Sequence, residues 1–123
     1  MEYQFKKFEN KNVRLENRIT VTKSSSIGLP TKFYQDNRIK NFRYAILFWD
    51  DKNKAIGIYF TEEKDKKGFR IIHGQKYGGQ IVVRSFLKTY DIDPQIYHGR
   101  YEWEKYDLEG IGEIFIIKLK KRE

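Results

Sequence analysis

Ile19 and Val21 alternate with Thr20 and Thr22, the period of a half-buried strand. A polar turn, Lys23-Ser24-Ser25-Ser26, follows, and Ile27 and Leu29 alternate again around Gly28. Pro30 then stops ladder donation and suits the first turn of a helix. Phe33, Tyr34 and Asn37 lie at helical spacing, which predicts a helix of about two turns that only tertiary packing can hold. Ile39 closes the segment. Tyr44 to Trp49 is a run of strand formers, Asp50 to Lys54 a charged turn, and Ala55 to Phe60 the answering arm of a hairpin. The order is β-β-α-β-β.

The pattern returns after a charged stretch, Thr61 to Gly68, which reads as a solvated linker. Phe69 to Ile72 and Gln80 to Arg84 read as strands around a glycine-rich turn, His73 to Gly79. Ser85 to Tyr90 is helix-like and ends near Asp91-Ile92-Asp93-Pro94. Gly99 to Lys105 and Glu113 to Leu119 read as the last two strands. The halves pair Arg18-Ile19 with Arg70-Ile71, Ile27 with Ile81, Phe33 with Phe86, Ile39 with Ile92, and Trp49 with Trp103. Ile56 and Ile58 pair with Ile114 and Ile116. Such a repeat usually means that neither half buries its own apolar face. The fold class is therefore α+β and β-rich, with two β-β-α-β-β units about a pseudo-twofold axis. One domain spans 1–123: an arm or edge strand over 1–17 carrying Tyr3, Phe5, Val13 and Leu15, a first unit over 18–60, the linker over 61–68 and a second unit over 69–123. The expected core is Ile19, Val21, Leu29, Phe33, Ile39, Ile46, Phe48, Ile56, Ile58, Ile81, Val83, Phe86, Ile114 and Ile116.

Charge changes this picture more than bulk composition does. The 25 Lys and Arg outnumber 17 Asp and Glu for a net charge of +8, which points to polyanionic partners. The excess is uneven. From Arg18 to Phe60 eight basic residues face three acids, whereas from Phe69 to Glu123 ten face eight. With 0 cysteines, disulfides, zinc–thiolate sites and thiol nucleophiles are excluded, and a reducing cytoplasm fits. No apolar run approaches the roughly 20 residues of a membrane helix, and MEYQFKKFENK lacks the apolar core of a secretory signal.

The first unit resembles the AbrB/MazE/SpoVT swapped-hairpin DNA-binding family. The resemblance rests on Ile19, Val21, Ile27, Leu29, Pro30, Phe33, Ile39, Ala45, Leu47, Asp51, Ile56 and Ile58. It covers about a third of the chain, Arg18 to Phe60, with a degenerate echo in the second half. In that family two copies interlock into one barrel. The resemblance implies that this chain, carrying both copies, is similar to a fused pseudodimer: a monomer of that kind, or a homodimer of it. The chain departs from the family pattern at Ser25, where glycine is usual, at Tyr34 and Gln35, where the helix often carries basic residues, and at Arg84, where the second half lacks the proline.

Catalytic chemistry is thin. His73 and His98 share no metal-ligand spacing, and the serines at 24 to 26 lack a base or a nucleophile elbow. His73-Gly79 has the glycines of a phosphate cradle without GK[ST] and a following long helix. No enzyme, metal or cofactor is expected. Three readings stay open. The first is a non-enzymatic protein binding duplex DNA, as a regulator or nucleoid component, through Arg18, Lys23, Ser24, Ser26, Lys32, Arg38, Lys40 and Arg43. The second is a protein-binding module, such as an inhibitor, antitoxin-like protein or accessory subunit, docking through a sheet edge or an aromatic surface. The third is a single-strand binder using exposed Tyr and Trp.

Overall fold

The computed structural model describes residues 2–5, 7, 16–64, 68–74 and 78–121. Val13 and Leu15 of the expected arm, the linker residues 65–67 and the turn residues 75–77 lie outside the described residues. Tyr3, Gln4 and Phe5 belong to no strand.

Among the described residues, nine antiparallel strands form a nearly closed barrel. They are β1 (Ile19–Val21), β2 (Ser26–Leu29), β3 (Tyr44–Asp50), β4 (Ala55–Thr61), β5 (Phe69–His73), β6 (Gly79–Val82), β7 (Gly99–Tyr101), β8 (Trp103–Leu108) and β9 (Gly112–Lys118). The order around the sheet is β7-β1-β2-β6-β5-β3-β4-β9-β8. β7 and β8, at the two ends of that order, are joined through Glu102 alone, so the single strand expected over Gly99 to Lys105 is bent in two. Its inward residues account for the bend. Tyr101 is buried and its hydroxyl donates to the Tyr97 and Lys120 carbonyls, while the Trp103 indole donates to the Asn17 carbonyl at 2.8 Å.

Three short helices pack on the barrel: α1 (Thr31–Asp36), α2 (Arg84–Thr89) and α3 (Pro94–Tyr97). α1 begins immediately after Pro30, whose φ of −66° and ψ of 159° end β2 in extended backbone. A 3-10 turn, Ile39–Asn41, follows α1. α3 was not expected from the sequence. The Asp93 carboxylate accepts from the Gln95 backbone N–H at 2.9 Å, and with Pro94 behind it this stretch caps a helix where a plain turn was read.

The pairings reach across the chain. Ile27 stands opposite Ile81 in β2–β6, and Ile56 opposite Ile117 in β4–β9. β1 pairs with β7, and β5 with β3. Inside, Phe33 is fully buried, with ring centroids 5.0 Å from Phe115, 5.3 Å from Trp103 and 6.3 Å from Phe60. β3 and β9 turn a different face to the core from the one expected. Ala45 of β3 and Phe115, Ile117 and Leu119 in and after β9 join the core, with half-buried Leu47 and Trp49 packed against it. Ile46, Phe48 and Ile116 are only half-buried, and Ile114, though buried, lies outside that core. A strand sends successive side chains to opposite faces, so a fully apolar run does not disclose its inner phase.

Ser25 sits at φ +69°, in the left-handed region. A Cβ on Gly78 would overlap the Leu29 carbonyl oxygen, so the β5–β6 turn approaches the start of α1 as only glycine allows. Ser25→Gly is expected to stabilise the fold by about 0.5–1 kcal/mol, since it relieves the left-handed strain of an L-residue. Phe33→Ala should lower stability by about 3–5 kcal/mol. Chemical denaturation of both variants checks both signs; a Phe33→Ala midpoint equal to wild type removes Phe33 from the core.

Candidate nucleic-acid interface

The basic residues of the first half divide into those that are already paired and those that are not. Arg18 precedes β1 and is held by Glu16: its Nε donates to Oε2 at 3.0 Å and its Nη2 to Oε1 at 2.8 Å. Arg100 of β7 approaches the same carboxylate at 3.5 Å. The Glu16 carboxyl is lowered to about 2, first by the Arg18 side-chain hydrogen bond and next by the Arg18 backbone N–H. Lys32 pairs with Asp36 one helical turn on, at 3.0 Å.

The serines serve the turn that carries them. The Thr22 hydroxyl lies 2.7 Å from the Ser26 hydroxyl and 3.0 Å from that of Ser24, and it accepts from the Ser26 backbone N–H at 3.1 Å. Ser26 is buried. The turn packs against α2 and α3, because Val83 N–H donates to the Ser25 carbonyl at 2.9 Å and the Gln95 amide to the Lys23 carbonyl at 3.4 Å. Lys23 is therefore exposed on a different set of elements from the cationic residues that follow α1.

Those residues are Arg38, Lys40 and Arg43, all exposed and without an ion pair among the described residues. Arg38, at φ +52°, takes the chain out of α1 into the 3-10 turn and borders a cavity of about 460 Å³ with Lys105. Arg43 is fixed by its own backbone: its N–H donates to the Thr61 carbonyl at 3.2 Å and its carbonyl accepts from Ile71 N–H at 2.9 Å. That places it beside β5, where Arg70 stands opposite Tyr44. Arg43, Arg70 and His73 line one cavity of about 640 Å³. Arg70 comes from the second half and was not in the expected set; its match to Arg18 in the internal comparison was the only signal for it.

His73 ties this region together. Its Nε2 lies 2.8 Å from the Phe42 carbonyl oxygen, which only accepts, so Nε2 carries the proton. Its Nδ1 is 2.7 Å from the Tyr34 hydroxyl. In the tautomer with the proton on Nε2 alone, Nδ1 accepts from the Tyr34 hydroxyl. The imidazole thus pins α1 to β5 and to the segment leading into β3, a role not expected of a turn residue facing solvent. Burial raises the Tyr34 phenol above its usual value, which keeps it protonated as donor at neutral pH.

Among the described residues no group of three or more His, Cys, Asp or Glu is placed to hold a metal ion, and no helix is long and apolar enough to cross a membrane. Compared with known proteins, the chain matches no family model, no curated protein and no solved structure.

The Glu16 pair gives a pH dependence with a definite sign. A carboxyl at about 2 in the folded chain and about 4.3 when unfolded stabilises fully above the unfolded value and loses that contribution as pH falls through the folded one. Glu16→Gln is expected to cost about 1 kcal/mol at neutral pH, solvent screening included. The gap to wild type should shrink between pH values of about 4.5 and 2; urea midpoints measured across that range check it.

Proposed function

We propose that this is a non-enzymatic protein that binds duplex DNA through phosphate contacts, and that its barrel is two related β-β-α-β-β units interlocked as in the swapped-hairpin family. The observation that carries the binding reading is the stretch of exposed cations without ion pairs, Arg38, Lys40 and Arg43, extended by Arg70 on the neighbouring strand. Guanidinium groups suit phosphate because their planar donors match its oxygens. Backbone paired on both sides holds Arg43 in place, so less order has to be created on binding.

The two-unit reading draws support from the pairings. β1–β7 and β5–β3 each join a first strand of one unit to a later strand of the other. β2–β6 and β4–β9 each join like with like, with Ile27 facing Ile81. Phe33 of α1 stacks edge-on with Trp103 at 5.3 Å, and Tyr90 after α2 lies 6.0 Å from Trp49. In this reading Ile56 matches Ile117 rather than Ile114, since those two residues face each other and the two tryptophans stand opposite them.

A protein-docking reading is favoured by one separate observation, the apolar outer surface of β3, β4, β9 and β8, taken up below.

The deciding experiment is a polarisation titration of wild type and Arg43→Glu/Arg70→Glu against duplex DNA, single-stranded DNA and RNA at several salt concentrations. The double variant should weaken every duplex alike, since phosphate contacts position without specifying. Its salt slope should fall by about 0.9 per lost contact. Lys54→Glu, at a hairpin tip where Lys54 already pairs with Asp51, should leave binding as it is. Wild type that ignores duplex at low salt, or a double variant with unchanged affinity and slope, overturns the reading.

A further inference from the structure

The barrel wall formed by β3, β4, β9 and β8 has an apolar face on its outside as well as its inside. Phe48, Gly57, Ile116 and Glu104 form one row across it, and Ile114 stands opposite Tyr106 in the next. Phe48 and Ile116 are half-buried and Tyr106 is 54% exposed. Gly57 lets Ile114 and Phe48 close over it: a Cβ there would lie 2.9 Å from Ile114 Cδ1 and 3.5 Å from Phe48 Cβ. The groove these residues line encloses about 560 Å³. Apolar patches of this kind on a soluble surface mark places where something docks.

Its rim is acidic. Asp50 and Glu104 border the groove against a single Lys118. The Asp50 carboxyl is held below its usual range, first by the Asn53 side-chain amide and then by the Asn53 backbone N–H, so it is charged at neutral pH. In a chain of net charge +8, an apolar groove with two carboxylates on its rim selects a cationic, aromatic occupant.

The same chain carries such a segment. Tyr3 and Phe5 are 71% and 89% exposed, and their rings stack with centroids 5.6 Å apart, so they lie on one side of the backbone. Lys7 follows at the same two-residue spacing and is exposed. Neither ring is seated on its own barrel. The nearly closed barrel offers faces more than free edges, so such a segment docks by side chains and not by extending a sheet.

We propose that the outer groove over Gly57 receives Tyr3 and Phe5 of a second copy of this chain, with Lys7 meeting the Glu104 and Asp50 carboxylates, so that two copies exchange these segments reciprocally. Reciprocal exchange is self-complementary and closes at a dimer. The contact is small, so the dimer is weak, with a dissociation constant on the order of 100 μM.

The test is analytical ultracentrifugation over a wide concentration range. Wild type should pass from monomer to dimer and stop there. Tyr3→Ala/Phe5→Ala and Tyr106→Glu should each remain monomeric with unchanged circular dichroism. An equal mixture of the two restores one of the two contacts, so it should associate more weakly than wild type. Glu104→Lys should also remain monomeric, and Lys7→Glu in the same chain should restore the dimer; both positions are exposed, so this charge swap decides the matter even where Tyr106→Glu fails to fold. Wild type that is monomeric throughout, a Tyr3→Ala/Phe5→Ala protein that dimerises like wild type, a mixture that associates as tightly as wild type, or a charge swap that rescues nothing overturns the proposal. A dimer that survives loss of the two rings identifies face-to-face stacking of the sheets instead.

Discussion

Everything in this barrel depends on pairing between strands that lie far apart in the chain. β2 finds β6 and β4 finds β9, and through those two seams Ile27 meets Ile81 and Ile56 meets Ile117. A single hairpin has one inner apolar face and nothing to cover it. Here the cover comes from the other half: Phe33, in the first half, is enclosed by Trp103 and Phe115 from the second together with Phe60 from its own. The short helices follow from the same constraint. Six residues do not hold a helix in water. α1 persists because Phe33 is seated in that aromatic cluster and because His73 grips Tyr34 from β5.

The surface is shaped by where hydrogen bonds and charges are already spent. Ser24 and Ser26 are tied to Thr22, Arg18 is tied to Glu16, and Lys32 is tied to Asp36. A cation held by a local carboxylate must give up that pair before it meets a phosphate. Among the described residues Arg38, Lys40, Arg43 and Arg70 have no such pair to break, and they run from the end of α1 along the β3–β5 side. Positive charge in this chain is plentiful, and folding divides it between paired and unpaired groups.

The opposite tendency governs the β3-β4-β9-β8 wall. β3, β4 and β9 are largely apolar on both sides, so closing the barrel buries one set of residues and leaves the other on the outside. The outward set includes Phe48, Tyr106, Ile114 and Ile116, which line one groove with Gly57. The barrel therefore separates a cationic region around the 3-10 turn from an apolar, acid-rimmed groove.

The alternation in Ile19–Leu29, the proline before α1 and the hairpin from Tyr44 to Thr61 were all legible along the chain, because each is set by local backbone preference and by a period of two. The net charge and its weight toward the first half were equally plain. Where the alternation failed, the sequence failed with it. In Ala45 to Trp49 and Ile114 to Ile117 every residue is apolar, so only the pairing across four strands decided that Trp49, Ile56, Ile117 and Trp103 share the inner row. The same holds for the cations. Sequence lists Arg38, Arg43 and Lys32 as equals; tertiary structure gave Lys32 an acid, left the other two open and brought Arg70 beside Arg43 from 27 residues away. Neighbours of that kind are created by folding, since a strand ladder joins residues by register and not by their distance along the chain.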